Sequence, residues 1–219
     1  MERSSILAHR GWFMNPVEKN SAVALERALL SGFGIETDLR DINGKLVISH
    51  DPPKSSDDLI DATCFFNLVR SSGAAGRLAL NVKSDGLQKL VVDALDAAFI
   101  PKQQVFAFDM SVPDALVYAA SEFPIYTRIS EYEKEPAFLN LADGVWVDNF
   151  TGDFPQISRA AKLLAQGTRV TIVSPELHCR NHQPLWNELL AARLHESSLF
   201  ELCTDLPMEA SAMFCSTLT

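Results

Sequence analysis

Short β-branched or apolar runs alternate along the chain with longer stretches of helical period. The runs fall at 5–9, 34–40 with 46–50, 78–83, 104–108, 124–129, 144–148, 169–173 and 199–204. The segments between them, such as 20–31, 86–99, 111–121 and 154–166, place apolar residues three or four apart, as helices covering a sheet must. Joining 34–40 to 46–50 through the turn Asp41-Ile42-Asn43-Gly44 gives eight strand units. Eight strand-helix units in 219 residues match the lower size range of a (β/α)8 TIM barrel. A doubly wound sheet has fewer strands and a glycine-rich first turn. The expected fold is therefore an α/β TIM barrel, with 1–219 as a single domain, since no repeat, linker or low-complexity tract interrupts the pattern. Ser111 is the predicted helix N-cap before Val112-Pro113, and Gly167 a predicted helix stop.

With 47% hydrophobic residues the chain can build one sizeable core. The formal net charge is -9, and no basic run or basic face interleaved with aromatics is present, which excludes a nucleic-acid partner. An anionic substrate must then be drawn in by a metal ion or a few placed Arg and Lys side chains, against the overall field. The apolar run Ile6 to Ala8 is too short for a signal-peptide core. No stretch approaches the roughly 20 apolar residues of a transmembrane segment, so a soluble, cytoplasmic protein is expected. Cysteines 64, 179, 203 and 215 lack C-x-x-C spacing, and three of them have apolar neighbours, so they read as reduced core thiols. No feature assigns an oligomeric state.

In Gly34-Ile35-Glu36-Thr37-Asp38-Leu39-Arg40, strand alternation puts Ile35, Thr37 and Leu39 on one face and Glu36, Asp38 and Arg40 on the other. With the apolar face against the helices, both carboxylates point into the barrel. Two carboxylates so close repel and lose hydration, so the pair predicts a partner: a divalent cation, or an internal salt bridge to Arg40, Lys83 or Arg128. Leu78-Ala79-Leu80-Asn81-Val82-Lys83 repeats the arrangement, collecting Asn81 and Lys83 toward a strand's C-terminal end, where barrel enzymes keep their sites. His9 and His50 are expected to end neighbouring strands beside this pair, as imidazoles suited to moving protons near neutral pH. His178, His182 and His195 are expected at the surface. Trp12, Phe108, Arg128, Trp146 and Asp148 lie near strand ends, the aromatics as core. Asp51 is expected to orient His50 or cap its loop, and Asp205 to be a structural acid.

These residues form an ordered set: His9-Arg10-Gly11, Glu18-Lys19-Asn20-Ser21, Gly34 to Asp38, Asn43-Gly44, His50-Asp51, Asn81-Val82-Lys83 and Cys203-Thr204-Asp205-Leu206-Pro207. The set resembles the H-R-G, E-N-T, G-x-E-x-D, D-G, H-D, acid-x-K and T-D-x-P pieces of the glycerophosphodiester phosphodiesterase superfamily. The resemblance runs from residue 9 to residue 207. It implies a TIM barrel, a divalent metal ion (Mg2+ or Ca2+) and cleavage of a small-molecule phosphodiester. It also implies His9 and His50 as the acid/base pair, Arg10 and Lys83 on phosphate, and Glu36 and Asp38 as metal ligands.

The chemistry agrees. A phosphodiester needs its non-bridging oxygens neutralised and its leaving alkoxide protonated, and carboxylates are the hard oxygen ligands that Mg2+ and Ca2+ prefer. Asn81 stands where the family has a third acidic ligand. Its amide oxygen still binds a hard cation, but with one negative charge fewer, so weaker metal binding is expected. The span from His50 to Asn81 holds about one helix, without the family's common insertion, so an open mouth is expected. Two other readings compete: an impaired barrel that binds phosphorylated ligands or a protein partner, motivated by Asn81, and a proton-transfer enzyme using Lys83 as base or Schiff-base nucleophile.

Overall fold

A computed structural model describes residues 1–215. In chain order its elements are β1 (Ile6–His9), α1 (Ala22–Leu30), β2 (Gly34–Ile42), β3 (Lys45–Ile48), β4 (Ile60–Asp61), α2 (Ala62–Ser72), β5 (Leu78–Val82), α3 (Gln88–Ala97) and β6 (Val105–Phe108). There follow α4 (Val112–Ala120), β7 (Tyr126–Ile129), β8 (Gly144–Val147), α5 (Gln156–Ala165), β9 (Arg169–Val173), α6 (Gln183–Ala191), β10 (Phe200–Thr204) and α7 (Pro207–Phe214).

Parallel pairing runs from β1 through β2 and β5 to β6, and from β7 through β8, β9 and β10 back to β1. The two arcs meet where Ala107 bridges Ile125 and its N–H donates to the Pro124 carbonyl at 2.9 Å. Eight parallel strands thus close into the TIM barrel that the periodicity predicts. β3 folds back antiparallel on β2 outside the ring. Its two-residue turn uses Asn43 and Gly44 at φ 52° and 76°, the left-handed pair a tight hairpin requires. Ser111 caps α4 by accepting from the Asp114 N–H, and Gly167, at φ 79°, follows the end of α5.

Two expectations on elements are corrected. β3 ends at Ile48, because only Leu39 to Ile42 of β2 extend far enough to pair with it, so His50 lies in the loop beyond. The stretch from Ser130 to Asp143, between β7 and β8, holds only turns and bends. Its charged run Glu131-Tyr132-Glu133-Lys134-Glu135 and Pro136 offer no apolar stripe and remove a helix donor.

Side chains alternate as the strands require. Ile6, Ala8, Ile35, Leu39, Leu78, Leu80, Val105, Ala107, Val145 and Val147 belong to the large core between barrel and helices. Leu7, Ala79, Phe106, Phe108, Tyr126, Trp146, Val173 and Cys203 fill the barrel itself. There Phe106 stacks on Tyr126 at 3.8 Å between centroids and Phe108 on Trp146 at 4.0 Å. Of the cysteines, Cys203 is buried and Cys215 half-buried, but Cys64 and Cys179 are exposed. Cys64 precedes buried Phe65 and Phe66 on α2, and the turn of about 100° per residue carries it to the outer face. No helix among the described residues is long and apolar enough to cross a membrane.

At the N-terminal end of the barrel, Arg77 sits over the rings of Phe106 and Tyr126 and donates to the Tyr126 hydroxyl at 2.5 Å. Buried Glu201 faces Arg77 at 3.4 Å and accepts from Thr171 Oγ1 at 2.8 Å. Burial, then Glu201, raises the Tyr126 phenol above its ordinary value, so it remains a donor. Removing one partner of such a pair leaves a buried charge uncompensated. Glu201→Ala is expected to cost about 3 kcal/mol and Glu201→Gln markedly less. Denaturant titration checks this, and an Ala variant as stable as wild type would contradict it.

Candidate active site

The first turn after β1 brings the site together. Arg10 and Gly11 both adopt left-handed backbone, at φ 57° and 86°. A Cβ on Gly11 would lie 2.6 Å from the Ala24 carbonyl carbon, so only glycine permits the chain to press against α1 here. The Arg10 N–H donates to the Glu36 carbonyl at 2.8 Å, and the Arg10 carbonyl accepts from the Asn20 N–H at 2.9 Å. The turn thus delivers the Arg10 guanidinium over the end of β2.

Asp38 is fully buried there. Its Oδ2 lies 2.9 Å from Arg10 Nε and 2.8 Å from Asn20 Nδ2, and its Oδ1 is 3.3 Å from Lys83 Nζ. Asn20 is itself held by the Thr37 hydroxyl at 2.9 Å. Glu36, buried two residues earlier on the same face, accepts from Asn81 Nδ2 at 3.2 Å. Burial, then repulsion from Asp38, pushes the Glu36 carboxyl up to about 8. The structure therefore brings Glu36, Asp38, Asn81, Arg10 and Lys83 together on one wall of the barrel mouth.

His9 completes this wall. Its Nδ1 lies 2.6 Å from Asp205 Oδ1, while Asp205 Oδ2 takes Lys19 Nζ at 2.9 Å. Its Nε2 is 3.8 Å from Glu36 Oε2. Burial lowers the His9 pKa, with Asp205 opposing. Burial raises Asp205, but the hydrogen bond and charge of His9, then Lys19, outweigh it and hold Asp205 below the ordinary carboxylate value. An Asp205 carboxylate accepts the Nδ1 proton and leaves Nε2 toward the mouth. Asp205, expected as a structural acid, is thus the partner of His9.

His50 reaches the mouth from outside. Although it lies beyond β3, the Ser49 N–H donates to the Asp38 carbonyl at 3.1 Å and Arg40 Nε to the His50 carbonyl at 3.0 Å, which tie its loop to β2. Its ring is 46% exposed and paired with Asp51 at 2.9 Å. Both imidazoles line one cavity of about 290 Å³, which adjoins a second of about 580 Å³ through Arg10 and His50.

The opposite wall was less legible. His178, expected at the surface, lines the mouth with Nε2 2.7 Å from Asp148 Oδ1. Arg128 pairs with Asp109 at 2.9 Å and with Glu133. Burial, only partly opposed by Arg128 and Lys83, raises the Asp109 carboxyl. Phe108 and Trp146 are at once core and cavity lining. Trp12 lies outside, edge-on to Phe33 at 6.3 Å. His182 and His195 are half-buried against Trp186 and Phe214, away from the mouth. Asp109, Asp148 and Asp205 each occupy the first position after a strand, a signal visible in the sequence.

Because Glu36 holds a proton up to about pH 8 when folded and releases it near 4.5 when unfolded, the metal-free protein should lose stability as pH rises through that window. Thermal unfolding in EDTA at pH 5 and pH 8 reads this slope. Glu36→Gln is expected to flatten it, and an unchanged slope would contradict the placement.

No family model matches the chain, and no curated protein matches it. Solved structures do. It superposes on a glycerophosphodiester phosphodiesterase from Parabacteroides distasonis with TM-score 0.73, at 15% identity, over 96% of each chain. The enzyme of that name from Agrobacterium tumefaciens gives 0.67 at 16%, over 95% of this chain and 99% of that one. A phosphodiesterase from Oleispira antarctica, solved with the product sn-glycerol-3-phosphate, gives 0.67 at 16%, over 97% of each. Over nearly its whole length, the chain has the barrel fold of the glycerophosphodiester phosphodiesterases.

Proposed function

We propose that this chain is a phosphoric diester hydrolase acting on a glycerophosphodiester or related phosphodiester, with His9 and His50 as its acid/base pair. The observation that carries the reading is the wall itself: Arg10 and Lys83 fixed on either side of Asp38, beside an imidazole whose proton is aligned by Asp205. These two cations are the local positive centre that a chain of net charge -9 needs in order to hold an anion. Arg10 and Lys83 bind the non-bridging oxygens. His9 takes the proton of the attacking oxygen through Nε2, and His50, at the open rim, protonates the departing alkoxide.

A divalent ion, Mg2+ or Ca2+, fits the same wall. Glu36 Oε2, Asp38 Oδ1 and Asn81 Oδ1 are buried oxygens without a hydrogen-bond partner, one on each residue of the proposed ligand set, with Asp38 Oδ1 also facing the Lys83 charge at 3.3 Å. They are hard donors of the kind these ions take. Among the described residues no group of three or more His, Cys, Asp and Glu side chains could hold a metal, so the set depends on the Asn81 amide. When bound, the ion supplies further charge neutralisation at the phosphoryl oxygens. Asn81 also favours a second reading, a barrel that binds phosphorylated ligands without turnover.

His9→Ala and His50→Ala are each expected to lower kcat on bis(p-nitrophenyl) phosphate by about 10² to 10⁴ while keeping the wild-type melting temperature. Full activity in either folded variant would remove the acid/base assignment. EDTA is expected to inhibit and Mg2+ or Ca2+ to restore activity, and Asn81→Asp to lower the metal concentration needed. Full turnover by the metal-free protein would remove the ligand set.

A further inference from the structure

Across the mouth from Glu36 and Asp38 stands a second imidazole–carboxylate pair that the proposed chemistry leaves unused. In the closed ring of eight strands β8 lies four places from β2, so the residue at the C-terminal end of β8 faces the carboxylates across the barrel. Asp148 is that residue. It is buried, its N–H donates to the Ile129 carbonyl at 2.9 Å, and its Oδ1 accepts from the Asn149 N–H at 2.8 Å. The same oxygen accepts from His178 Nε2 at 2.7 Å. A carboxylate oxygen can only accept, so it fixes the proton on Nε2 and leaves Nδ1 as an acceptor. His178 lines the mouth cavity, and its Nδ1 has no hydrogen-bond partner among the described residues and keeps some exposure to solvent.

The surroundings of His178 specify what it can meet. Phe150 packs on its ring at 4.9 Å and carries the Arg128 guanidinium on its face at 5.5 Å. Arg128 is paired with two carboxylates, Asp109 and Glu133, whereas Arg10 and Lys83 share the single carboxylate of Asp38, so this wall is the less suited to an anionic group. Its floor is the Phe108–Trp146 stack. An acceptor nitrogen above an aromatic floor, opposite the Arg10 and Lys83 phosphate wall, suits an uncharged carbon skeleton bearing a hydroxyl donor.

We propose that His178, oriented by Asp148, binds a hydroxyl on the alcohol part of the phosphodiester and so selects hydroxylated alkyl esters over plain alkyl ones. This rests on the phosphodiester reading and adds a specificity-determining residue to it. Calorimetric binding of sn-glycerol 3-phosphate and of n-propyl phosphate, the same skeleton without hydroxyls, tests it in wild type, His178→Ala and Asp148→Asn with Mg2+ present. Wild type is expected to prefer the glycerol ester by about tenfold. His178→Ala should bring the ratio near one, and Asp148→Asn should reduce it. A preference that survives in His178→Ala, or none in wild type, overturns the assignment and leaves the phosphodiester reading standing. Binding of neither ligand by wild type overturns both.

Discussion

The Asp38 carboxylate has no exposure to solvent, and the arrangement of the mouth comes from satisfying it. Stripping a carboxylate of water costs several kcal/mol unless donors and cations replace the hydration. Here the replacements come from three separate pieces of chain: Arg10 from the turn after β1, Asn20 from the lead into α1, and Lys83 from the end of β5. One buried acid therefore fixes the two cations, the left-handed turn at Arg10-Gly11, and through that turn the position of His9 at the end of β1. The cations that satisfy Asp38 are also the groups proposed to receive phosphate, so the site is organised before any ligand arrives.

The barrel divides the mouth into two kinds of surface. β1, β2 and β5 present Arg10, Lys83, His9 and the oxygen donors; β6 to β9 present the Phe108–Trp146 stack, the Arg128–Asp109 pair and the His178–Asp148 pair. Both imidazole pairs use the same device, an aspartate just after a strand that accepts one ring proton and leaves the other nitrogen without a hydrogen-bond partner among the described residues. At the opposite end of the barrel Arg77, Tyr126 and Glu201 pair with one another, and the proposed site lies at the C-terminal rim.

Much of this was legible in the sequence because strands have a period of two. Ile35 and Leu39 against Glu36 and Asp38, and Leu78 and Leu80 against Asn81 and Lys83, report which face is packed and which is polar. The Asp41-Ile42-Asn43-Gly44 turn was equally visible, whereas the left-handed backbone at Arg10 and Gly11 emerges only from the structure. His178 was not, because it lies in a short turn beyond β9, where neither helix nor strand period constrains the reading. His50 was placed on a strand that stops two residues earlier, since the pairing length of β3 is set by how far β2 extends. The missing helix between β7 and β8 reflects a charged run that propensity alone does not separate from a solvated helix. The aspartates after β6, β8 and β10 could have been found together, since an acid immediately following an apolar strand recurs at the rim.

The most direct test monitors a glycerophosphodiester by phosphorus NMR with the purified protein in Mg2+ or Ca2+. Conversion of the diester resonance to a phosphomonoester or cyclic phosphate, abolished by EDTA, is the predicted result. A diester signal that is shifted by binding but never consumed, with either metal and across the diester panel, would contradict the account and leave a barrel that binds phosphate without cleaving it.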